Sequence, residues 1–164
     1  MPRHEASPAA VTANFVLLDK GHYSFKIGEG KTFAKDNSEK SKSDSFGVRY
    51  ALTVASPSHA AGQKPAPANL YQHSVGAQGF SKQFLIAAMG FRNNAEGEAA
   101  FNEAASSLDW SFDTDTGELG SGWASINGST IEADVEVTPE KKDRDGNTLY
   151  AAQNSFKWMP LKTN

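Results

Sequence analysis

The sequence contains no cysteine, which excludes a disulfide framework, thiolate metal ligands and a cysteine nucleophile. No segment approaches the roughly 18 consecutive apolar residues that a membrane-spanning helix needs. Residues 1–13 also lack the apolar stretch of a signal peptide, so export is not expected. These absences predict a cytoplasmic protein that does not cross a membrane.

The motifs of common enzyme classes are missing as well. The histidines show no metal-ligand spacing, and there is neither a Gly-x-Ser-x-Gly nucleophile motif nor a glycine-rich phosphate loop. Alternating acids at 113–118 and 143–147 do not match the spacing of a calcium loop, and turn formation explains them. The sequence therefore predicts no catalytic residue, no metal and no cofactor. A metal-dependent nuclease that uses the acids of 109–118 is left as an alternative.

Acidic residues are concentrated in one stretch of a chain whose formal charge is −3. Residues 95–118 hold seven Asp or Glu and no Lys or Arg, which leaves 16 basic and 12 acidic residues in the rest of the chain. A mildly basic remainder can present a cationic face to a polyanion. Net charge therefore does not exclude a nucleic-acid partner.

Apolar and polar residues alternate in five segments with the period of two that a half-buried strand requires. The predicted strands cover residues 22–28, 46–54, 69–75, 131–137 and 148–159. Residues 30–45 are polar and rich in Ser and Lys, and residues 56–68 contain three prolines. Both of these segments are therefore predicted to be loops.

Between the third and fourth predicted strands the period changes to that of a helix. Large apolar or alanine residues recur at helical spacing from Gln78 onward, namely Phe80, Phe84, Ala87 or Ala88, and Phe91. Residues 95–108 continue this character, and Asn93 followed by Glu96 resembles a capping box. The pattern predicts an apolar stripe that includes Phe80. It leaves open whether 78–108 is one bent helix or two.

The predicted order is three strands, one or two helices and a closing strand pair, which is the element order of an OB-fold barrel. We therefore expect a mainly β (α+β) protein in which residues 14–161 form a single OB-fold-like domain. Its five-stranded barrel has the helical region between strands 3 and 4. Residues 1–13 are expected to form a flexible N-terminal arm and residues 162–164 a C-terminal tail.

In an OB-fold the loops joining strands 1–2 and 4–5, with the face of strands 2 and 3, bind oligonucleotides. Here those loops are 30–45 and 139–147, which carry seven of the 16 basic residues beside six acids. We expect both loops at one mouth of the barrel, where cations neutralise phosphates and aromatic rings stack on bases. The predicted nucleic-acid-binding residues are Lys26, Lys31, Phe33, Lys35, Lys42, Arg49, Tyr71, His73, Lys141, Lys142 and Arg144. Phe33 is expected to be the most exposed aromatic residue, and Tyr50 is expected in the core.

Four segments, 21–27, 88–90, 128–137 and 154–160, together resemble a group of small bacteriophage proteins from replication and recombination gene clusters. This group is single-stranded-DNA-binding-like, so the resemblance implies a non-enzymatic protein that binds single-stranded DNA without strong sequence preference. It implies a place in the host cytoplasm, with phage or host replication and recombination proteins as further partners. Because the chain lacks the acidic tail of many such proteins, only the stretch 95–118 is left to recruit a partner.

A second hypothesis uses the same barrel as a protein-interaction module, either a phage structural component or an inhibitor of a host defence system. Glu132, Asp134 and Glu136 alternate with apolar residues on the fourth predicted strand, so they are expected to point outward. Acids on that face would repel a phosphate backbone. The two hypotheses differ in whether the basic loops converge on a groove away from these acids. The oligomeric state, including a homo-oligomer, stays open.

Overall fold

The structure of the protein, a computed structural model, describes residues 15–35 and 45–161. Its main feature is a five-stranded antiparallel sheet in the order β3-β2-β1-β4-β7, beside a two-stranded hairpin of β5 and β6. The strands are β1 Gly21–Lys35, β2 Ser45–Ser56, β3 Ala68–Tyr71, β4 Thr130–Thr138, β5 Lys141–Lys142, β6 Thr148–Tyr150 and β7 Gln153–Pro160. The predicted mainly β (α+β) class is confirmed. The predicted closed barrel is wrong, because β3 and β7 are the two edges of the sheet, and the OB-fold is not confirmed. The predicted arm and tail, 1–13 and 162–164, lie outside the described residues.

β1 is longer than predicted because it continues beyond a bulge. The register with β2 shifts after Ile27 and resumes at Gly30, with two residues of β1 opposite one of β2. Only glycine fits at this point, since a Cβ on Gly30 would lie 2.8 Å from the Tyr50 ring. Pairing then continues to Lys35, so the predicted loop 30–45 is wrong over its first part. Most of the remaining loop lies outside the described residues.

β3 is shorter than predicted because a helix begins soon after it. The Ser74 Oγ accepts a hydrogen bond of 3.1 Å from the backbone N–H of Ala77 and so caps that helix. The strand therefore ends at Tyr71. His73 lies in the connection and not on a strand.

The last predicted strand, 148–159, is split into β6 and β7. Asp143 Oδ1 accepts hydrogen bonds of 2.9 Å from the backbone N–H groups of Asp145 and Asn147. This local turn pairs β5 with β6. The chain then starts a new strand at Gln153, which pairs with β4.

Separate helices occupy the helical region. They are α1 Val75–Ala88, α2 Ala95–Ala105 and, in the connector that follows, the short α3 Ser121–Ala124. α1 is followed by Gly90 at φ +90°, a backbone conformation that favours glycine. α2 is capped by Asn94, whose Oδ1 accepts from the N–H of Gly97 at 2.8 Å, so the predicted cap at Asn93 is wrong. Residues 89–94, between the end of α1 and the start of α2, separate the two helices.

The core lies between one face of the sheet and α1. The alternating apolar residues of the strands are buried on this face, among them Phe25, Ile27, Val48, Leu52, Ile131 and Val135. Phe84 of α1 packs on Tyr50, which confirms the predicted core position of that tyrosine, and edge-on against Trp158 of β7. Ser81 Oγ donates to the backbone oxygen of Tyr71 on β3 at 3.0 Å. α1 therefore bridges the two edge strands where a barrel would close.

Candidate functional site

The face of the sheet opposite α1, here called the open face, carries the polar residues of the alternating strands. It presents Lys26, Lys31, Phe33 and Arg49 on β1 and β2, and Glu132, Asp134 and Glu136 on β4. Lys31 is the register partner of Arg49. The open face therefore has a cationic part on β1 and β2 and an acidic part on β4.

Two aromatic rings meet on the cationic part of the open face. Gly47 of β2 is the register partner of both Phe33 on β1 and Tyr71 on β3. β1 and β3, the two strands that flank β2, are about 10 Å apart. The two rings can therefore touch only because Gly47 places no side chain between them. Their centroids are 5.3 Å apart and their planes are perpendicular. Tyr71 remains 38% exposed.

A cation lies on this ring pair. The Arg49 Cζ atom is 4.8 Å from the centroid of the Phe33 ring, within the range of a cation–π contact. Arg49 Nε donates to Asn69 Oδ1 at 2.6 Å, and this hydrogen bond orients the guanidinium group across β2 and β3. The Arg49 side chain is exposed. It therefore combines a fixed position with access to solvent.

Two further rings extend the pair around the end of β3. The His73 ring centroid lies 5.6 Å from that of Tyr71 and 6.3 Å from that of Phe46. Phe46 is 37% exposed. We call Phe33, Phe46, Arg49, Tyr71 and His73 the aromatic patch. It offers several partly exposed π surfaces around one cation.

The acidic part of the open face is organised around His22. Its Nε2 lies 2.6 Å from Glu132 Oε1, and its Nδ1 lies 2.8 Å from Asp134 Oδ1. The hydrogen bonds to Asp134 and Glu132 raise the pKa of His22. Lys20 forms an ion pair with Glu136 at 3.5 Å. The predicted outward orientation of the three acids is confirmed, although Glu132 itself is only 7% exposed.

A groove of about 950 Å³ runs beside the outer edge of β3. Four residues of the aromatic patch, Phe33, Arg49, Tyr71 and His73, form one side of it. α1 and β7 form the other side with Phe80, Phe156 and Trp158. Phe80, which helical spacing places on one apolar stripe with Phe84, is 78% exposed, whereas Phe84 is buried. The same value shows that Phe33, which is half-buried in β1, is not the most exposed aromatic residue.

No protein-family model matches the chain, and the comparison with curated proteins gives no match. Within residues 15–35 and 45–161, no three His, Asp or Glu side chains are grouped so that they could hold a metal ion. No helix in the described part of the chain has the length and hydropathy of a membrane span. The candidate site is therefore defined by the geometry of the aromatic patch and the groove.

The structure brings several of the predicted binding residues together. Those that meet or adjoin on β1, β2 and the end of β3 are Lys31, Phe33, Arg49, Tyr71 and His73. Lys26 lies on the same face before the bulge, at the register position of Thr53. Lys35 is the last residue of β1, and Lys42 lies outside the described residues.

The second basic segment lies elsewhere. It consists of Lys141, Lys142 and Arg144, on the hairpin that follows the C-terminal end of β4. Val135 near that end pairs with Gly21, the first residue of β1. The described basic residues of the predicted loop 30–45, Lys31 and Lys35, instead lie toward the opposite end of the 15-residue β1. The described parts of the two basic segments therefore lie at opposite ends of the sheet, and the expectation that both loops meet at one mouth of a barrel is wrong.

The prediction from sequence missed the exposure of Phe80 because helical spacing alone placed it with Phe84. A weaker signal was present in the same segment. Gly76 and Gly79 have open space around them, and they leave the first half of α1 with few side chains that can pack. Two glycines in a helix interior are also unfavourable for helix stability. Together they indicate a helix end that projects from the core and carries Phe80 with it.

Proposed function

We propose that this protein binds single-stranded DNA without strong sequence preference and that the aromatic patch is its base-stacking surface. The observation that carries the proposal is the ring pair of Phe33 and Tyr71 beside Arg49 on the open face. Single strands are held by aromatic side chains that stack on bases and by cations that follow the phosphates. Rings that served only the core would be buried as Tyr50 is, at 0% exposure.

The cations of the open face supply the phosphate contacts in this proposal. Arg49 and Lys31 face each other across β2 and β1, and Lys26 follows on β1. The acids of β4 repel phosphates, so the strand runs over β1, β2 and β3 and avoids β4. In this proposal, one face of the sheet makes the phosphate contacts that the sequence analysis expected from two basic loops.

We also propose that the fold is an opened variant of the OB-fold. The order of three sheet strands, a helical region and two further sheet strands supports this. α1 takes the position between β3 and β7 where closure would require those strands to pair. A role in phage DNA replication or recombination, in the host cytoplasm, follows from the family resemblance and stays a prediction.

Fluorescence anisotropy with a labelled oligothymidylate tests the proposal. We expect micromolar or tighter binding at low salt, with a log–log salt slope of roughly −2 if Lys26, Lys31 and Arg49 each neutralise one phosphate. Tyr71→Ala and Arg49→Ala should each weaken binding by roughly tenfold, because each removes a stacking surface or a phosphate contact. Arg92→Ala, at an exposed arginine between α1 and α2, is the matched control and should leave the affinity unchanged. Absence of binding at low salt would overturn the proposal.

The acids of β4 favour a protein-interaction module as the second candidate function. Asp134 and Glu136 are exposed on the open face, on either side of the core residue Val135, and such acids attract a basic partner and repel DNA. Asp134→Asn with Glu136→Gln separates the two functions. DNA affinity should rise in this variant under the first function. Under the second, oligothymidylate binds neither the variant nor the wild type.

A further inference from the structure

Phe80 of α1 belongs neither to the core nor to the aromatic patch. It is 78% exposed, in the half of α1 that projects from the sheet, where Val75 is 85% exposed. The other half of the helix, from Phe84 to Ala88, is buried. A single exposed apolar residue needs no explanation. Phe80 differs from Val75 because it lines the groove beside β3, and Val75 does not.

The turn of α1 that carries Phe80 is fixed to the end of β3. Ser81, the next residue, hydrogen-bonds through Oγ to the Tyr71 backbone oxygen at 3.0 Å. Ser74 caps the start of the same helix. The backbone at Phe80 is therefore held beside Tyr71, whose own ring forms part of the aromatic patch. Its position is set by the fold even though the ring is open to solvent.

The groove between Tyr71 and Phe80 suits a polyanion that carries planar groups. Its described lining contains Arg49 and His73 and no carboxylate. On the opposite side, Phe156 and Trp158 stack with centroids 4.7 Å apart and planes 5° apart. Aromatic side chains thus line the groove on both sides, and Arg49 supplies a positive charge on one of them. Unpaired bases match this lining, because every base has a π face and stacking tolerates any sequence.

We infer that the Phe80 side of this groove is a second base-binding position, beyond the Phe33 and Tyr71 rings that line its other side. A single strand that leaves the Tyr71 ring turns over the outer edge of β3 and places its next base against Phe80. The inference rests on the proposed function and names the path of the same ligand. The volume of about 950 Å³ is within the size range of small-ligand sites, which accommodates a nucleotide.

A length series of oligothymidylates tests this path. The probes are a short oligomer of about four nucleotides and a longer one of about twelve, near the limits of site size in single-strand-binding domains. Phe80→Ala should weaken binding of the long probe by roughly tenfold, the effect of one lost stacking contact, and leave the short probe almost unchanged. Phe80→Trp should retain wild-type binding of both probes. Val75→Ala, on the same helix but outside the groove, should alter neither.

The possible results distinguish failure of the second base-binding position from failure of the proposed function. Wild-type binding that Phe80→Ala leaves unchanged, or weakens equally at both lengths, overturns the second position and leaves the proposed function standing. Failure of the wild type to bind either probe overturns both. A change of sedimentation coefficient in Phe80→Ala without any change in DNA affinity assigns the ring to contact with a second copy of the chain, and this too overturns the inference.

Discussion

The buried hydroxyl of Tyr50 donates a hydrogen bond of 2.6 Å to the backbone oxygen of Trp123. This bond joins the middle of β2 to α3. Trp123 in turn packs edge-on against Trp110. The Trp123 Nε1 also donates a hydrogen bond of 2.7 Å to the backbone oxygen of Trp110. Burial raises the pKa of Tyr50 far above its ordinary value, so the hydroxyl remains a donor throughout the neutral range. The connector between α2 and β4 is held on the sheet by these contacts.

Tyr50→Phe should lower the free energy of unfolding by about 1–3 kcal/mol, because the Trp123 carbonyl loses its buried donor. Urea denaturation followed by tryptophan fluorescence measures this. Tyr71→Phe removes a hydroxyl from an exposed ring and is the control, with an expected change of at most about 0.5 kcal/mol. Equal effects of the two variants would contradict the proposed role of the Tyr50 hydroxyl.

Gly47→Ala should separate β3 from β2 and lower the free energy of unfolding by about 1–3 kcal/mol. The reason is steric, since a Cβ on Gly47 would overlap the backbone oxygen of Leu70. Gly76→Ala is the matched control on α1. Its Cβ would enter open space, and alanine should stabilise the helix by about 0.5–1 kcal/mol. Thermal unfolding measures both, and a Gly47→Ala protein as stable as the wild type would count against the close approach of β3.

The basic hairpin should contribute little to DNA binding. Replacing Lys141, Lys142 and Arg144 together by glutamine removes three charges at the end of the sheet opposite Lys35. The affinity for oligothymidylate and its salt slope should therefore stay close to the wild-type values. Lys31→Gln, beside Arg49, should by contrast make the slope less negative by about 0.7. A loss of binding in the hairpin variant would restore the idea of two converging loops.

His22 should make stability depend on pH. Its pKa is raised in the folded state by the hydrogen bonds to Asp134 and Glu132. The stabilisation is therefore fully present below the unfolded pKa of about 6.5 and is lost as the pH rises through the raised folded pKa. The difference in unfolding free energy between wild type and His22→Gln should be larger at acidic than at alkaline pH. His59→Gln, at an exposed histidine, is the control; a pH-independent difference for His22 would refute the coupling.

Alternation in the sequence was sufficient to predict most of the sheet. It placed Tyr50 in the core and directed Glu132, Asp134 and Glu136 to the other face, because side chains on a strand alternate between two sides. It could not show that β1 continues beyond Ile27. The bulge there interrupts the period of two, and the polar composition of the following residues resembles that of a loop.

The candidate site was predictable where it depends on one strand and unpredictable where it depends on long-range pairing. Arg49 could be found from strand phase alone, whereas the phase of the short strand that carries Tyr71 left its orientation open. The separation of Lys141 from Lys31 follows from the antiparallel pairing of β1 with β4 and from the open sheet, neither of which has a local signal. Phe80 was misassigned because helical spacing does not show which turns of a helix reach the core.

The unequal pairing of β1 has a consequence for local opening. Its register with β4 ends at Lys26 and Thr130, whereas its register with β2 continues to Lys35. The Gly30 N–H donates to Asn127 Oδ1, and from Lys31 to Lys35 the strand pairs with β2 alone. Hydrogen exchange of residues 31–35 should therefore proceed through smaller opening events than that of residues 24–26, which pair with both β2 and β4. A ligand on Phe33 would slow exchange in residues 31–35 and leave the doubly paired residues 24–26 unaffected.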